Sequence, residues 1–307
     1  MVSSTVVETI YRGHMAKPRG WLEWNAEQAR AWIRVPGPTD DKYTRGVLGV
    51  MTGSKDYPGA AVLAVEAAAR TGVGMVRYIG PGRASTLVLQ RRPEVVLAAG
   101  RVQAWLLGSG INGSTRSDDV TRELDAALNA GLPTVCDAGA LDRLGVAEAD
   151  AARPIVITPH YRELAALLND LPRAKQTTAE QIAAAPAEAA IRAARLLGVT
   201  VLLKGAVTRI ASPTGARLTV SGAPAWLSTA GSGDVLGGIL GALLATNSAR
   251  VATDADALAA LAATAALVHA RAAELASAGG PITALDVAEA VPAVMRALLA
   301  VPAEGKH

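Results

Sequence analysis

The chain has no phenylalanine, a single cysteine and few aromatic residues of any kind. Aromatic residues make up 3% of its 307 residues, although 50% of the residues are apolar. Because Ala, Val and Leu supply most of this apolar content, close contacts between small side chains must replace ring contacts in the core. The lone Cys136 excludes an intrachain disulfide and a metal site built from cysteines. We therefore expect a large α/β protein of the reducing cytoplasm.

An excess of one charge is also lacking. Thirty Lys and Arg residues face 27 Asp and Glu residues, which leaves a net charge of +3. The basic residues are scattered and do not alternate with aromatic ones, so we expect no nucleic-acid partner. The N-terminus has no basic patch followed by an apolar run, and the most apolar helical stretch, 235–245, is too short to span a bilayer. We expect neither secretion nor a membrane segment.

The pattern along the chain divides it into three parts. Residues 1–44 are polar and irregular and predict an N-terminal arm, and residues 301–307 predict a short tail. Between them, over 45–300, β-rich runs alternate with Ala-rich helical runs, which predicts a doubly wound, mainly parallel sheet with helices on both faces. Strands are predicted near 47–51, 74–79, 104–107, 133–136, 155–157 and 200–203, with a hairpin near 207–211 and 217–220. Helices are predicted over 59–70, 118–130, 162–168, 187–197, 233–245, 255–276 and 284–299.

Polar or glycine-rich segments follow five of the predicted strands. Any one of them alone would be an ordinary turn. Because the carboxyl ends of parallel strands meet at one edge, where ligands bind in open sheets, the five together predict a cleft. The segments are Thr52-Gly53-Ser54, Gly108-Ser109-Gly110, Asp137, Thr158-Pro159-His160 and Lys204-Gly205.

The most informative motif is a glycine-rich turn that runs into an apolar helix, Thr229 to Gly238. Glycines let the backbone approach a phosphate, and the free N–H groups at a helix start favour an anion. Asp234 stands beside this site, where it is unfavourable for phosphate binding but suits a base that accepts the proton of an attacking hydroxyl. Taken alone, the motif is explained equally well by an N-cap aspartate after a flexible turn.

Together with other motifs, this turn resembles the G-[TS]-G-D signature of the ribokinase-like superfamily. Tyr57–Leu63 and Arg70–Gly74 are similar to the Y-x-G-A-x-x-L and R-x-G-x-G stretches of one branch, the NAD(P)H-hydrate dehydratases. Thr158–Glu163 is similar to its T-P-H-x-x-E motif, and Val201–Thr208 to its V-x-x-K-G-x-x-T motif. The motifs stand in the family's order between about residues 45 and 298.

The resemblance implies a lyase that repairs damaged nicotinamide cofactors. It would dehydrate the (S)-hydrate of NADH or NADPH by phosphorylating the ring hydroxyl and eliminating phosphate, with Mg²⁺ and with ADP, or less commonly ATP, as donor. Asp234 would be the catalytic base. Nucleotide binding is implied for Lys204, Gly205, Ala206, Val207, Thr208, Gly231, Ser232 and Gly233, and substrate binding for Ala60, Gly110, His160 and Asp234.

Three segments depart from the family's pattern. Gly108–Asn112 stands where the family has G-P-G-L-G, Asp137–Leu141 where it has D-A-D-A-L, and Met51–Ser54 where it has a double-glycine turn. These departures affect the substrate side. Without the resemblance, His160 would be read as a turn residue. Asp137 is either a turn former or a residue that helps to place a metal-bound phosphate.

Two other functions remain open. One is a small-molecule kinase of the same superfamily, for hydroxymethylpyrimidine, thiazole or a sugar. The other is a catalytically silent nucleotide-binding protein, which the intact Asp234 disfavours. About 45 residues precede the match, too few for an epimerase domain, so no epimerase activity is expected. The Ala-rich helix over 59–70 is expected in the core, with the interface of a homo-oligomer as the alternative.

Overall fold

A twisted sheet lies at the centre of the computed structural model, which describes residues 20–147, 152–172 and 176–301. The predicted tail and the first 19 residues of the predicted arm lie almost entirely outside these ranges. Within them the strand order is β1-β9-β8-β7-β6-β5-β4-β2-β3. The strands are β1 Leu22–Glu23, β2 Val47–Met51, β3 Met75–Tyr78, β4 Ala104–Leu107, β5 Thr134–Cys136, β6 Ile155–Ile157, β7 Thr200–Leu203, β8 Thr208–Ala211 and β9 Arg217–Val220.

Most neighbouring strands run parallel. Only β8 is antiparallel to its neighbours, β7 and β9, so the predicted hairpin is confirmed. The parallel strands β2, β4, β5, β6 and β7 therefore end at the same edge of the sheet. All five polar strand exits lie along this edge.

Helices cover both faces of the sheet, as the alternation predicted. The larger core lies under α1, α2, α3, α8, α10 and α11, and the smaller one under α4, α5, α6 and α7. The helices are α1 Ala26–Arg30, α2 Pro58–Thr71, α3 Gly82–Arg91, α4 Asp118–Leu128, α5 Tyr161–Asn169, α6 Ala179–Ala184, α7 Pro186–Leu197, α8 Ser232–Thr246, α9 Ser248–Val251, α10 Ala257–Ser277 and α11 Ala284–Leu299.

The helices α2 and α8 approach each other unusually closely. A Cβ on Gly238 of α8 would fall on the carbonyl of Ala64 in α2 and would lie 2.9 Å from the Ala67 Cβ of the same helix. Small residues on both helices therefore bring the two backbones together, as expected for a chain without Phe. The core prediction for the Ala-rich helix is confirmed, since α2 is packed by α3, α8 and α11.

The N-terminal segment is more regular than predicted. Strand β1 adds to the sheet beside β9, and α1 packs on α10 and α11. Trp24 and Trp32 are buried, and Trp24 Nε1 donates to Thr264 Oγ1 at 3.2 Å. Elements as short as β1 and α1 show no periodicity in the sequence, so their formation depends on tertiary contacts. Helices α3 and α6 were also not predicted.

One described helix, α10, is long and apolar enough to cross a membrane by length and composition. Its most apolar window is 78% buried inside the protein. Such burial is typical of a core helix, and α10 indeed packs on α8 and α11.

Candidate active site

The glycine turn before α8 has the geometry of an anion site. Gly231 adopts a φ of +87° and no side chain caps the helix that starts at Ser232. A Cβ on Gly231 would lie 3.1 Å from the Ala284 Cβ, so both conformation and space favour glycine. Ser232 N–H donates to Thr229 O at 3.3 Å, and the other N–H groups of a first helical turn have no partner within the helix, which favours an anion there.

Asp234 lies in the first turn of α8, partly buried at the sheet edge. Because the N-cap is Gly231 and no side chain caps this helix, the alternative of an N-cap aspartate is wrong. Burial and the negative charge of Asp137 raise the pKa of Asp234 to about 7, while the positive charge of Lys204 opposes the increase. Asp234 therefore exchanges its proton near neutral pH, as a general base must.

Asp137 is the centre of the cleft's hydrogen-bond network, although sequence reasoning left its role open. It is 5% exposed and accepts hydrogen bonds from Ser109 Oγ at 3.0 Å, Thr158 Oγ1 at 2.8 Å and Lys204 Nζ at 3.1 Å. These donors come from three strand exits. One carboxylate after β5 therefore ties β4, β6 and β7 together at the cleft.

Lys204 is held between two carboxylates and faces the glycine turn. Its Nζ lies 3.1 Å from Asp137 Oδ1 and 3.5 Å from Glu163 Oε2, and it would lie 3.6 Å from a Cβ on Gly233. Burial alone would lower the pKa of Lys204, but the two carboxylates raise it above its ordinary value. The ammonium thus stays charged beside the predicted phosphate site.

His160 has the turn role that the residue alone predicts, and its ligand-binding role stays a prediction. It is the N-cap of α5: its Nδ1 accepts from the Glu163 N–H at 3.1 Å, and Glu163 Oε2 accepts from the His160 N–H at 2.8 Å. With Nδ1 as acceptor, a neutral imidazole carries its proton on Nε2. The side chain is 52% exposed, so this Nε2 can donate to a ligand. The T-P-H-x-x-E motif is therefore a capping box that also aims Glu163 at Lys204.

Two of the predicted substrate residues, Ala60 and Gly110, lie against each other. Gly53 N donates to Ser109 O at 2.7 Å. A Cβ on Gly110, whose φ is +68°, would lie 2.5 Å from the Ala60 Cβ and 3.2 Å from the Gly53 Cα. Since the Ser109 side chain bonds to Asp137, this glycine contact is continuous with the charged network.

His269 forms a hydrogen bond to the backbone at the start of α8, and the sequence did not predict this role. It is buried in α10, and burial lowers its pKa to about 4, against a hydrogen bond to the Ser232 backbone that raises it. Within the described part of the chain, its Nε2 has no hydrogen-bond partner. A neutral imidazole therefore lies under the start of α8. A lone histidine in an alanine-rich helix gives no sequence pattern by which to find it.

Residues 48–292 match the family model described as NAD(P)H-hydrate dehydratase. The chain belongs to the NAD(P)H-hydrate dehydratase family. It is 44% identical over 237 residues to the bifunctional NAD(P)H-hydrate repair enzyme Nnr of Mycobacterium tuberculosis, covering 73% of this chain and 46% of that protein. It is 35% identical over 228 residues to the ADP-dependent (S)-NAD(P)H-hydrate dehydratase of Xanthomonas campestris, covering 67% and 74%. The chain thus spans about half the length of the bifunctional relatives.

Solved structures confirm the ribokinase-like fold of this dehydratase-family chain. The ADP/ATP-dependent NAD(P)H-hydrate dehydratase of Bacillus subtilis, co-crystallised with ATP and Mg²⁺, has a TM-score of 0.78 at 23% identity, covering 91% of this chain and 99% of that one. A hydroxyethylthiazole kinase of Pyrococcus horikoshii has a TM-score of 0.57 at 15% identity, covering 88% and 95%. Both the predicted family and the predicted fold class are confirmed.

The site of this family member suits a Mg²⁺ ion that is held mainly by phosphates. No group of three or more His, Cys, Asp or Glu residues capable of holding a metal occurs in the described ranges. The Asp137 carboxylate is occupied by three donors, and Glu163 meets Lys204 and the His160 N–H through Oε2. Mg²⁺ typically takes one or two carboxylates plus substrate phosphates and water. Mg²⁺ binding at this site therefore stays a prediction.

Proposed function

We propose that the protein catalyses the nucleotide-dependent dehydration of the (S)-hydrate of NADH or NADPH, which restores NAD(P)H. Family membership and one observation support the proposal. Asp234, with a pKa of about 7, stands in the first turn of a helix whose free N–H groups and neighbouring Lys204 suit a phosphate. A carboxylate beside a phosphate site has no binding use, but it suits proton removal from an attacking hydroxyl.

The first step is a phosphoryl transfer. Asp234 accepts the proton of the ring hydroxyl, and the oxygen attacks the terminal phosphorus of ADP or ATP, releasing AMP or ADP. Lys204 and the N–H groups of Gly233 and Asp234 hold the phosphate oxygens as charge moves onto them. Bound Mg²⁺ supplies further neutralisation of this charge.

The second step is an elimination. Phosphate leaves with the electrons of the carbon–oxygen bond, and the neighbouring ring carbon gives a proton to water, so the electrons of that carbon–hydrogen bond reform the ring double bond. Phosphate leaves more easily than hydroxide, which is why the nucleotide is consumed. A positioned base contributes about 10²–10⁴-fold to such a reaction, so the anion site and the metal supply much of the remaining acceleration.

The two ligands are assigned to opposite ends of the cleft. We place the adenosine of the nucleotide against residues 204–208, the turn from β7 into β8, and its phosphates at Gly231, Ser232 and Gly233. The hydrated nicotinamide lies between Asp234, His160, Gly110 and Ala60. ADP is the expected donor. The protein is expected to act in the cytoplasm, without nucleic acid or membrane, and a homo-oligomer is a possible assembly.

The experiment is to incubate the protein with hydrated NADH, Mg²⁺ and either ADP or ATP, and to follow NADH formation. Formation that requires a nucleotide supports the proposal. A parallel assay with hydroxymethylpyrimidine, thiazole and sugar acceptors tests the kinase alternative. Thermal-shift measurements with AMP, ADP and ATP test the nucleotide site, and a folded protein that none of them stabilises contradicts it.

A further inference from the structure

The hydroxyl of Ser109 is buried between the central carboxylate of the cleft and helix α8. Ser109 is 0% exposed, and its Oγ donates to Asp137 Oδ2 at 3.0 Å. The other carboxylate oxygen, Oδ1, accepts from Thr158 Oγ1 at 2.8 Å and from Lys204 Nζ at 3.1 Å. Within residues 20–147, 152–172 and 176–301, Ser109 is therefore the one side chain that donates to Oδ2.

The loop that carries Ser109 is held on both sides. The Ser109 carbonyl accepts the Gly53 N–H at 2.7 Å. The flanking glycines, Gly108 and Gly110, adopt φ angles of +102° and +68°, and a Cβ on Gly108 would fall on the Asp137 carbonyl. Because backbone contacts fix this loop against Asp137, the serine hydroxyl is already oriented toward the carboxylate.

Two donors to this carboxylate also meet the helix that carries Asp234. A Cβ on Gly237 would lie 3.8 Å from Ser109 Oγ, and one on Gly233 would lie 3.6 Å from Lys204 Nζ. Gly233 and Gly237 are four residues apart and therefore lie on one side of α8, with Asp234 in the turn between them. The hydroxyl and the ammonium thus lie at the two ends of the turn that bears the proposed base.

A hydroxyl dipole changes the field of the carboxylate to which it donates. The hydrogen of the Ser109 hydroxyl carries a partial positive charge and is directed at Asp137, so it offsets part of the negative charge that Asp234 experiences. Burial and that negative charge both raise the pKa of Asp234. Without the hydroxyl, Asp234 should therefore be harder to ionise.

The route from Ser109 to Asp234 runs through one neighbour. Among the described residues, Asp137 and Lys204 are the two charged groups that act on the pKa of Asp234. Glu163 faces Lys204 from α5, and the neutral His269 lies under the start of α8. The helices packed on α8 carry these further ionisable side chains: Glu66 and Arg70 on α2, Arg250 on α9, Arg271 and Glu274 on α10, and Asp286, Glu289 and Arg296 on α11.

We propose that Ser109 is a positioning residue of the reaction, which holds Asp137 in place and thereby keeps Asp234 able to accept a proton near neutral pH. Ser109 stands where the G-P-G-L-G pattern of the family has proline, which has no hydroxyl to donate. The hydrogen bond is therefore a feature of this chain that the family motif does not supply. The inference rests on the proposed function, because it takes Asp234 as the base.

The test follows the ionisation of Asp234 in variants that lose one hydroxyl. Ser109→Ala removes the donor to Asp137, and the matched control is Thr71→Val, which removes a buried hydroxyl that bonds within α2 at the end away from the cleft. NMR of carboxyl-labelled aspartate gives the midpoint, and Asp234→Asn assigns the signal. We expect the midpoint to rise by about 0.5 pH unit in Ser109→Ala, about a threefold gain in proton affinity, and to stay in place in Thr71→Val.

Steady-state kinetics with hydrated NADH give the second measurement. Because the Ser109 hydroxyl bonds to Asp137 and not to a ligand, the KM values for nucleotide and hydrate should stay unchanged in Ser109→Ala. The kcat at pH 7 should fall about twofold and recover at high pH, where Asp234 is ionised in both proteins. A loss of structure alone would lower kcat at every pH. Ser109→Thr, which keeps the hydroxyl, should follow the unaltered protein.

A further variant compares the two oxygens of Asp137. Thr158→Val removes a donor from Oδ1, which keeps Lys204, so it should move the Asp234 midpoint less than Ser109→Ala does. An unmoved midpoint in Ser109→Ala, an equal shift in Thr71→Val or a larger one in Thr158→Val overturns the inference. Because the NMR titration needs no turnover, these results stay distinct from a failure of the proposed function, in which the unaltered protein does not convert hydrated NADH.

Discussion

The two halves of the cleft are built on different physical principles. In the proposed nucleotide half, Lys204 is held by charge between Asp137 and Glu163, and burial, Asp137 and Lys204 set the protonation of Asp234. In the substrate half, Gly53 and Gly110 touch through backbone atoms, and space rather than charge fixes the geometry. The first half should therefore be sensitive to changes of charge at constant shape, and the second to changes of volume at constant charge.

The strongest test of the charged half is Asp234→Asn, which keeps the shape of the side chain. Without the carboxylate that accepts the hydroxyl proton, turnover of hydrated NADH should fall by about 10²–10⁴-fold. Nucleotide affinity should stay the same or rise, because a negative charge facing the phosphates is lost. A variant that turns over at a rate near that of the unaltered enzyme would sink the catalytic assignment.

The same variant should be more stable at neutral pH. Because the pKa of Asp234 is raised to about 7, the folded state binds a proton that the unfolded state has released, and stability falls as pH rises from about 4 to 7. Asp234→Asn removes this loss. Its Tm should exceed that of the unaltered protein at pH 8, and the difference should vanish near pH 4. If the variant and the unaltered protein have equal Tm values at pH 8 and at pH 4, ionisation of Asp234 does not destabilise the folded protein.

Lys204→Met should have the next largest effect. Loss of a charge-assisted contact to phosphate should raise the KM for the nucleotide about 10- to 100-fold. The positive charge of Lys204 lowers the pKa of Asp234, so removing it should raise that pKa further. The increase of kcat/KM with pH, which follows the loss of the Asp234 proton, should therefore shift to higher pH. Lys204→Arg, which keeps the charge, is the control and should leave the pH profile in place. A profile that does not move in the Met variant contradicts the coupling.

In the glycine half, Gly110→Ala changes volume without changing charge. The new Cβ would lie 2.5 Å from the Ala60 Cβ at a φ of +68°, so the free energy of unfolding should fall by about 2–4 kcal/mol and the KM for the hydrate should rise. Adding Ala60→Gly to the Gly110→Ala variant should restore part of the free energy of unfolding and part of the affinity for the hydrate. Gly145→Ala, where a Cβ meets nothing within 4 Å and φ is not positive, should change neither. Full tolerance at residue 110 would mean that the contact is looser than the structure has it.

The smallest effect belongs to His269, a neutral group within the charged half. Because its pKa is lowered to about 4, the unfolded state takes up a proton below pH 6.5 that the folded state does not, and stability falls as pH decreases from 6.5 to 4. His269→Leu should remove about 1–2 kcal/mol of this loss at pH 5. Asp234 instead makes stability fall as pH rises. Because the unaltered protein and His269→Leu both contain Asp234, the difference between their Tm values at each pH reports the contribution of the imidazole alone. No difference in slope would indicate that water reaches the ring.

The sequence predicted the fold well where periodicity was strong. Every predicted strand formed, and the strand exits met at one edge because parallel strands leave no other arrangement. It failed for β1 and α1, which are short and depend on the burial of Trp24 and Trp32. In the site, the glycine turns and the strand exits were predicted, but the role of Asp137 was left open and His269 was not predicted. Their importance comes from neighbours distant in the chain, which no local pattern encodes.

The glycine contact between α2 and α8 has a mechanical consequence. Helix α2 carries the proposed substrate residue Ala60 and α8 carries Asp234, and the contact of Gly238 with the Ala64 carbonyl leaves no room for one helix to slide along the other. The two helices therefore form one rigid unit. The 204–207 turn and the first turn of α5, where Gly205 and His160 are exposed, lie outside this unit.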